Sequence, residues 1–319
     1  MAQLVKPFTT LGEQVELLKK RGMGVGSENL DHWLQSVGYY RLSGYWYPYR
    51  AIKSNGHRAD EFVAGTNFDD VAKLYEFDRK LRTLVHDGIE RVEVAIRSSV
   101  SNTIGEIDPF AYQNKSIFRP GFAHANWIST VNTRIGRAHK NSTMVQHHFI
   151  KYGGNLPIWA LVEILDFADT SKLFSGLTSK HQWTIAENLG ISIIDTRLSP
   201  NQRSKARKHH PLARWMEQIT VVRNTAAHHS RLWNSTFVPA PTAAMKTVTG
   251  LESLPEGQSE RLYGALLVIA KITSKASPGT PWANRVDQLV DTTFSEIKLR
   301  DPQEMGYPMR HPPGLFKLG

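Results

Sequence analysis

NFDDVAKLYEFDRKLRTLVHDGIERVEVAIRSSVSNT, residues 67–103, is a long amphipathic stretch. Its apolar residues Val71, Leu74, Leu81, Val85, Ile89, Val92, Ile96 and Val100 recur at steps of three, four or seven. A helix turns about 100° per residue, so this spacing gathers them on one face. Asn67 is a good N-cap, and Asp69 and Asp70 suit the positive end of a helix dipole. The pattern predicts one helix from Asn67 to about Thr103, and a fold built of helices.

Outward from it, helical signals dominate in both directions. Thr10 and Glu13 form a capping-box pattern ahead of Val15, Leu17 and Leu18. Gly22, Gly24 and Gly26 end that helix, and Ser27 is a plausible cap for a second one through Trp33 and Leu34 that stops near Gly38. The aromatic segment that follows, 39–49, contains Gly44 and Pro48 and reads as an irregular or extended connection. Asn55-Gly56 reads as a turn. Toward the C-terminus the pattern predicts a helix over Asn126–Phe149, ended by Gly153-Gly154. A helix starting at Pro157 and running through Phe167, and a short one over Trp183–Leu189, follow. The basic run Arg203–His210 leads straight into a helical stripe of Leu212, Trp215, Ile219 and Val222. Residues around Pro239 and Pro241 read as loop, and two further helices as 261–274 and 282–297. A tail with Pro308, Pro312 and Pro313 is expected to be poorly ordered. Strand signal is weak throughout, so the class is all-α. The expected organisation is an N-terminal helical and aromatic segment over 1–66, a helical domain over 67–235, and a helical extension over 236–319.

There are 39 Lys and Arg against 29 Asp and Glu, a net charge of +10. That excess either favours an anionic partner, such as nucleic acid or a membrane surface, or belongs to a soluble protein that is simply basic. Cysteine is absent, which excludes disulfides, thiolate-bound zinc, iron–sulfur clusters and a cysteine nucleophile. The start of the chain has no basic-then-apolar leader pattern, and the longest apolar run, Ala265–Ala270, is far too short to span a bilayer. The expectation is a cytoplasmic protein that does not enter a membrane. No Walker-type phosphate loop, G-x-S-x-G elbow or H-E-x-x-H pattern occurs, and neighbouring His in His147-His148, His209-His210 and His228-His229 point about 100° apart on a helix, so neither a metal nor a cofactor is expected.

The chemistry concentrates in Arg223-Asn224-Thr225-Ala226-Ala227-His228-His229, followed by Ser230-Arg231-Leu232-Trp233-Asn234. An arginine can hold a phosphate by two hydrogen bonds, and an imidazole exchanges protons near neutral pH. Those groups suffice to cleave RNA without a metal, because the ribose supplies its own nucleophile. Asn224 and His228 are four apart and share a helix face. Arg223 and His228 are five apart, about 140° round the helix. They meet either because the arginine is long or because a second copy of the helix faces the first, which implies a homodimer.

The run Val222–Asn234 closely resembles the signature of the bacterial Abi-like, or abortive-infection, family of the HEPN superfamily of helical ribonucleases and RNA-binding proteins. Val37–Pro48, Ile89–Arg97 and Leu156–Glu163 resemble the same family, in the right order, so the likeness spans roughly 15–235. The resemblance implies a HEPN-like helical bundle, RNA cleavage through an R-x4-6-H motif, and a role in phage defence that often disables the host cell. By position it makes Arg223 the motif arginine, Asn224 the polar residue after it and His228 the motif histidine. His229 gives an equally admissible spacing. Residues after 235 match nothing in it. A constitutively made defence nuclease needs a restraint, so a regulatory RNA or an antitoxin is an expected partner. The alternatives are a non-catalytic protein that holds a structured RNA and a protein–protein module.

Other residues have two readings each. Arg41 and Arg50 are candidate phosphate contacts in a segment whose rings either stack bases or pack a core. Arg203, Lys205, Arg207 and Lys208 either grip a phosphate backbone or form a solvated loop, and Arg231 extends the basic surface just past the motif. Glu93 and Arg97 are placed for an i, i+4 ion pair, while Glu93 could instead orient Arg223 or a histidine.

Overall fold

The computed structural model of the chain describes residues 7–309; Pro312 and Pro313 lie outside them. The described residues form fourteen α-helices and one two-stranded antiparallel hairpin, an all-α fold. No helix among them is long and apolar enough to cross a membrane. By contact the chain groups into two units, Met1–Leu81 with Gln288–Pro302, and Arg82–Asp287 with Gln303–Gly319.

In the first unit, α1 (Leu11–Lys20) opens with the expected capping box between Thr10 and Glu13. The second helix, α2 (Leu30–Ser36), is capped by Asn29 rather than Ser27. Ser27 is engaged elsewhere, because the Asp69 carboxylate accepts the Ser27 and Glu28 backbone N–H groups at 2.9 and 3.0 Å. The aromatic stretch is a helix, α3 (Tyr39–Trp46), not the irregular connection expected. Burial decides it: Leu42, Tyr45 and Trp46 pack inward, and Tyr45 donates from Oη to Asp78 at 2.7 Å. Asn55-Gly56 forms the turn between β1 (Arg50–Ile52) and β2 (Arg58–Phe62).

The long helix, α4 (Phe68–Gly105), is present as predicted, with Asn67 accepting the Asp69 N–H at 3.0 Å. Its eight periodic apolar residues are all buried. Gly88 lets its backbone approach another helix, since a Cβ there would lie 2.5 Å from the Trp282 ring.

In the second unit, two helices replace the single one expected over Asn126–Phe149. They are α5 (His124–His139) and α6 (Thr143–Tyr152), and Ser142 caps α6 after a short break. The helix at Pro157 is one turn long, α7 (Ile158–Leu161); a fresh one, α8 (Phe167–Gly176), starts at the Asp166 cap. The remaining helices are α9 (Ser179–Asn188), α10 (Pro200–Lys208), α11 (Leu212–Ala227), α12 (Thr242–Met245), α13 (Leu262–Ala276) and α14 (Trp282–Glu296). The basic run is therefore neither a loop nor continuous with α11. It forms α10, with its own Ser199–Gln202 capping box, and ends at His209-His210-Pro211. A residue before proline is pushed out of the helical region, and His210 is that residue. α11 packs against α8 and α13. α13, buried at eleven of its positions from Leu262 to Thr273, belongs to the core.

Candidate functional site

The site is the C-terminal end of α11. Leu212, Trp215, Met216, Ile219, Val222 and Ala226 bury one face of this helix, which leaves Asn224 exposed and Arg223 half-buried on the other side. Buried Gln218 ties the helix to the chain that follows by donating from Nε2 to the Val238 and Ser259 carbonyls at 2.7 and 2.9 Å. Leu232 and Trp233 are fully buried. The motif is thus anchored before and after its polar groups.

The end itself is a Schellman-type cap. The helix stops at Ala227, His228 is the C-cap, and its N–H still bonds the Asn224 carbonyl at 3.0 Å. The His229 N–H bonds the Ala226 carbonyl at 2.9 Å and the Ser230 N–H bonds the Thr225 carbonyl at 3.0 Å. His229 takes the left-handed position at φ +56, where glycine is the usual occupant. A non-glycine residue there costs about 1–2 kcal/mol. Both imidazoles are exposed at the tip.

The Arg223 guanidinium donates from Nη1 to Asn224 Oδ1 at 3.3 Å. No hydrogen bond joins Arg223 to His228 among the described residues of one chain. The arginine and the imidazole stand on the same helix end with the amide between them. A phosphodiester lying across that end meets a bidentate cation, an amide and a proton acceptor within about two turns of helix.

The other candidates separate. Arg203 donates to the carbonyls of Asp195, Thr196 and Leu198, from 2.9 to 3.3 Å. Arg207 pairs with Asp195 at 2.6 Å. Lys205 and Lys208 are exposed and have no partner among the described residues. Glu93 pairs with Arg97 at 2.5 Å, and Arg97 also donates to the Leu165 carbonyl at 2.6 Å, so this ion pair secures the turn before α8, and no hydrogen bond joins it to Arg223 among the described residues. Arg231 is half-buried just past the motif. In the first unit, Arg41 is exposed on α3, and Arg50 pairs with Asp60 at 3.3 Å and lies 5.7 Å from the Tyr47 ring centre.

Two groups escaped the sequence reading. Arg134 clamps Asp166, the cap of α8, and donates from Nε to Asp169 at 2.6 Å, a link between residues 35 apart that no local spacing announces. His210 is 1% exposed, its N–H is held by Gln182 at 2.8 Å, and burial pushes its pKa down to about 3. The His-Pro step was the available signal. Among the described residues no group of three or more His, Cys, Asp or Glu is gathered for a metal ion.

A family model described as Abi-like protein matches residues 32–234, most of the chain and all of the motif. No curated protein and no solved structure matches.

Proposed function

The chain belongs to the Abi-like protein family, and on that premise we propose that it is a metal-independent, HEPN-type endoribonuclease acting in bacterial defence against phage by abortive infection. One observation carries the reading: α11 ends at the surface with Arg223, Asn224, His228 and His229 together, on a helix whose other face is locked in the core.

In this reading the His228 imidazole takes the proton from a ribose 2′-hydroxyl. That oxygen attacks the adjacent phosphorus and the bond to the 5′-oxygen breaks. A second imidazole, His229 or the partner's copy of the motif, or water, returns a proton to the leaving oxygen. Arg223 offsets the charge that builds on the phosphate oxygens, oriented by its bond to Asn224. The products are a 2′,3′-cyclic phosphate and a 5′-hydroxyl, and DNA, lacking the nucleophile, is spared. Because no hydrogen bond joins Arg223 to His228 among the described residues of one chain, a homodimer that brings two motifs face to face is the arrangement that fits best. A regulatory RNA or an antitoxin keeps the enzyme silent until infection.

The test compares wild type with Arg223→Ala and His228→Ala in cells and on purified RNA. Loss of toxicity and of cyclic-phosphate ends in both variants is expected. Equal toxicity and equal RNA decay in all three would sink the assignment, and tight binding with no cleavage under any trigger would turn the protein into an RNA holder.

A further inference from the structure

Residues 109–162 hold no Asp or Glu, although the chain has 29 of them, and carry six Lys and Arg and four His. Such a run has no charge of its own to cancel the positive one. Two of the six cations are engaged inside the fold: Arg119 donates from Nε to the Ser175 carbonyl at 2.9 Å, and Arg134 holds Asp166 and Asp169. Arg137 and Lys140, at the end of α5, and Lys151, at the end of α6, are exposed and have no side-chain partner among the described residues.

The two helices pack on each other. Gln146 donates from Nε2 to the His139 carbonyl at 3.0 Å, which fixes the turn between them. The His139 and Phe149 rings then meet with their centres 4.2 Å apart. Tyr152 lies three residues past Phe149, on the same helix face, with its ring centre 5.4 Å from that of His148. It is still 57% exposed, and His139 and Phe149 are open to solvent as well. Lys140 follows His139 and Lys151 precedes Tyr152, so each end of this row of rings has a cation beside it. Rings left in water as a group, rather than singly, mark a surface that something else covers.

We propose that His139, Phe149 and Tyr152 form a platform on which the bases of a single-stranded RNA stack, with its phosphates on Arg137, Lys140 and Lys151. A ring offers any base a flat partner, and each phosphate answers a cation that the protein leaves unpaired. A membrane answers the charge but not the shape. Exposed Ile150 shares its face of α6 with Thr143 and His147, so the helix has no continuous apolar stripe to bury in lipid. The inference rests on the ribonuclease reading for the identity of its ligand. It adds a hold on the strand through helices other than the one that carries Arg223 and His228.

The experiment measures binding of a fluorescent single-stranded RNA of mixed sequence to full-length His228→Ala protein, which leaves the strand intact, over a series of salt concentrations. Tyr152→Ala is expected to weaken binding about tenfold, while Tyr152→Phe, which keeps the ring, binds as its parent does. Arg137→Gln combined with Lys140→Gln and Lys151→Gln is expected to reduce the log–log salt slope by roughly 0.7 per cation removed. The melting temperature stays unchanged in every variant. RNA affinity and salt slope equal to the parent's in the alanine and glutamine variants overturn the platform and leave the ribonuclease reading standing. The same variants losing affinity for phosphatidylserine-containing vesicles, with RNA binding untouched, overturn it in favour of a lipid surface. RNA held through the platform without cleavage by wild type leaves the platform and overturns the nuclease. Absence of RNA binding overturns both.

Discussion

α10 and the end of α11 are both cationic, yet they use their charge in opposite ways. In α10 the arginines turn inward: Arg203 satisfies three carbonyls of residues 195–198, and Arg207 takes the Asp195 carboxylate. At the end of α11 the guanidinium of Arg223 is half-buried and donates to the amide beside it, and His228 and His229 are exposed. A guanidinium with five donors finds acceptors in its own protein readily, while an ammonium on a flexible stem stays hydrated. The net charge therefore says little about which cations are open to a ligand. In α10 it is the lysines that remain available.

Four measurements break or sharpen that contrast. The largest effect is expected at α11, where Arg223→Ala and His228→Ala each lower the RNA cleavage rate by on the order of a hundredfold or more, with the melting temperature unchanged. A large fall in stability for either would place them with the structural cations instead. Next comes pH, read at His210 between the two helices. Burial lowers its pKa from 6.5 to about 3. The unfolded chain binds this proton below pH 6.5 and the folded chain does not until about pH 3, so stability present above 6.5 is lost as pH falls through that window. About 2 kcal/mol of it is gone by pH 5. Denaturant melts of wild type and His210→Phe at pH 7 and pH 5 check this, and equal pH slopes in the two proteins would refute it. Third, Arg203→Ala is expected to cost about 1–2 kcal/mol of stability through its orphaned carbonyls, with cleavage per folded molecule preserved. Activity lost at full stability would move Arg203 to the RNA side of the comparison. The smallest effect belongs to the lysines: Lys205→Gln with Lys208→Gln leaves stability within about 0.5 kcal/mol. It reduces the salt dependence of RNA affinity by a log–log slope of roughly 0.7 per lysine.

Elements whose buried face repeats at the helical period were readable from sequence. α1, α4, α11, α13 and α14 all fall near their expected spans, because core burial imposes that period. Interruptions were not. The breaks before Ser142, Asp166 and Pro211 each separate two helices, and only the caps and the His-Pro step mark them. α3 was missed for the opposite reason: its glycine and aromatic content suggests a loop, while burial of Leu42, Tyr45 and Trp46 favours a helix. At the site, the residue types were evident and the geometry was not. Nothing in the local spacing shows that the helix stops at Ala227, that His229 lies at φ +56 or that Arg223 bonds Asn224.

α13 carries a last consequence. It lies outside residues 32–234, the span that the family model covers, yet its buried side leans on α11, and Ser259 just before it accepts from Gln218. Shortening the chain at Asn234 would strip a wall from the motif helix and leave buried Gln218 without the Val238 and Ser259 carbonyls that accept from it. The portion of this protein that looks self-sufficient on paper borrows its rigidity from what comes after it.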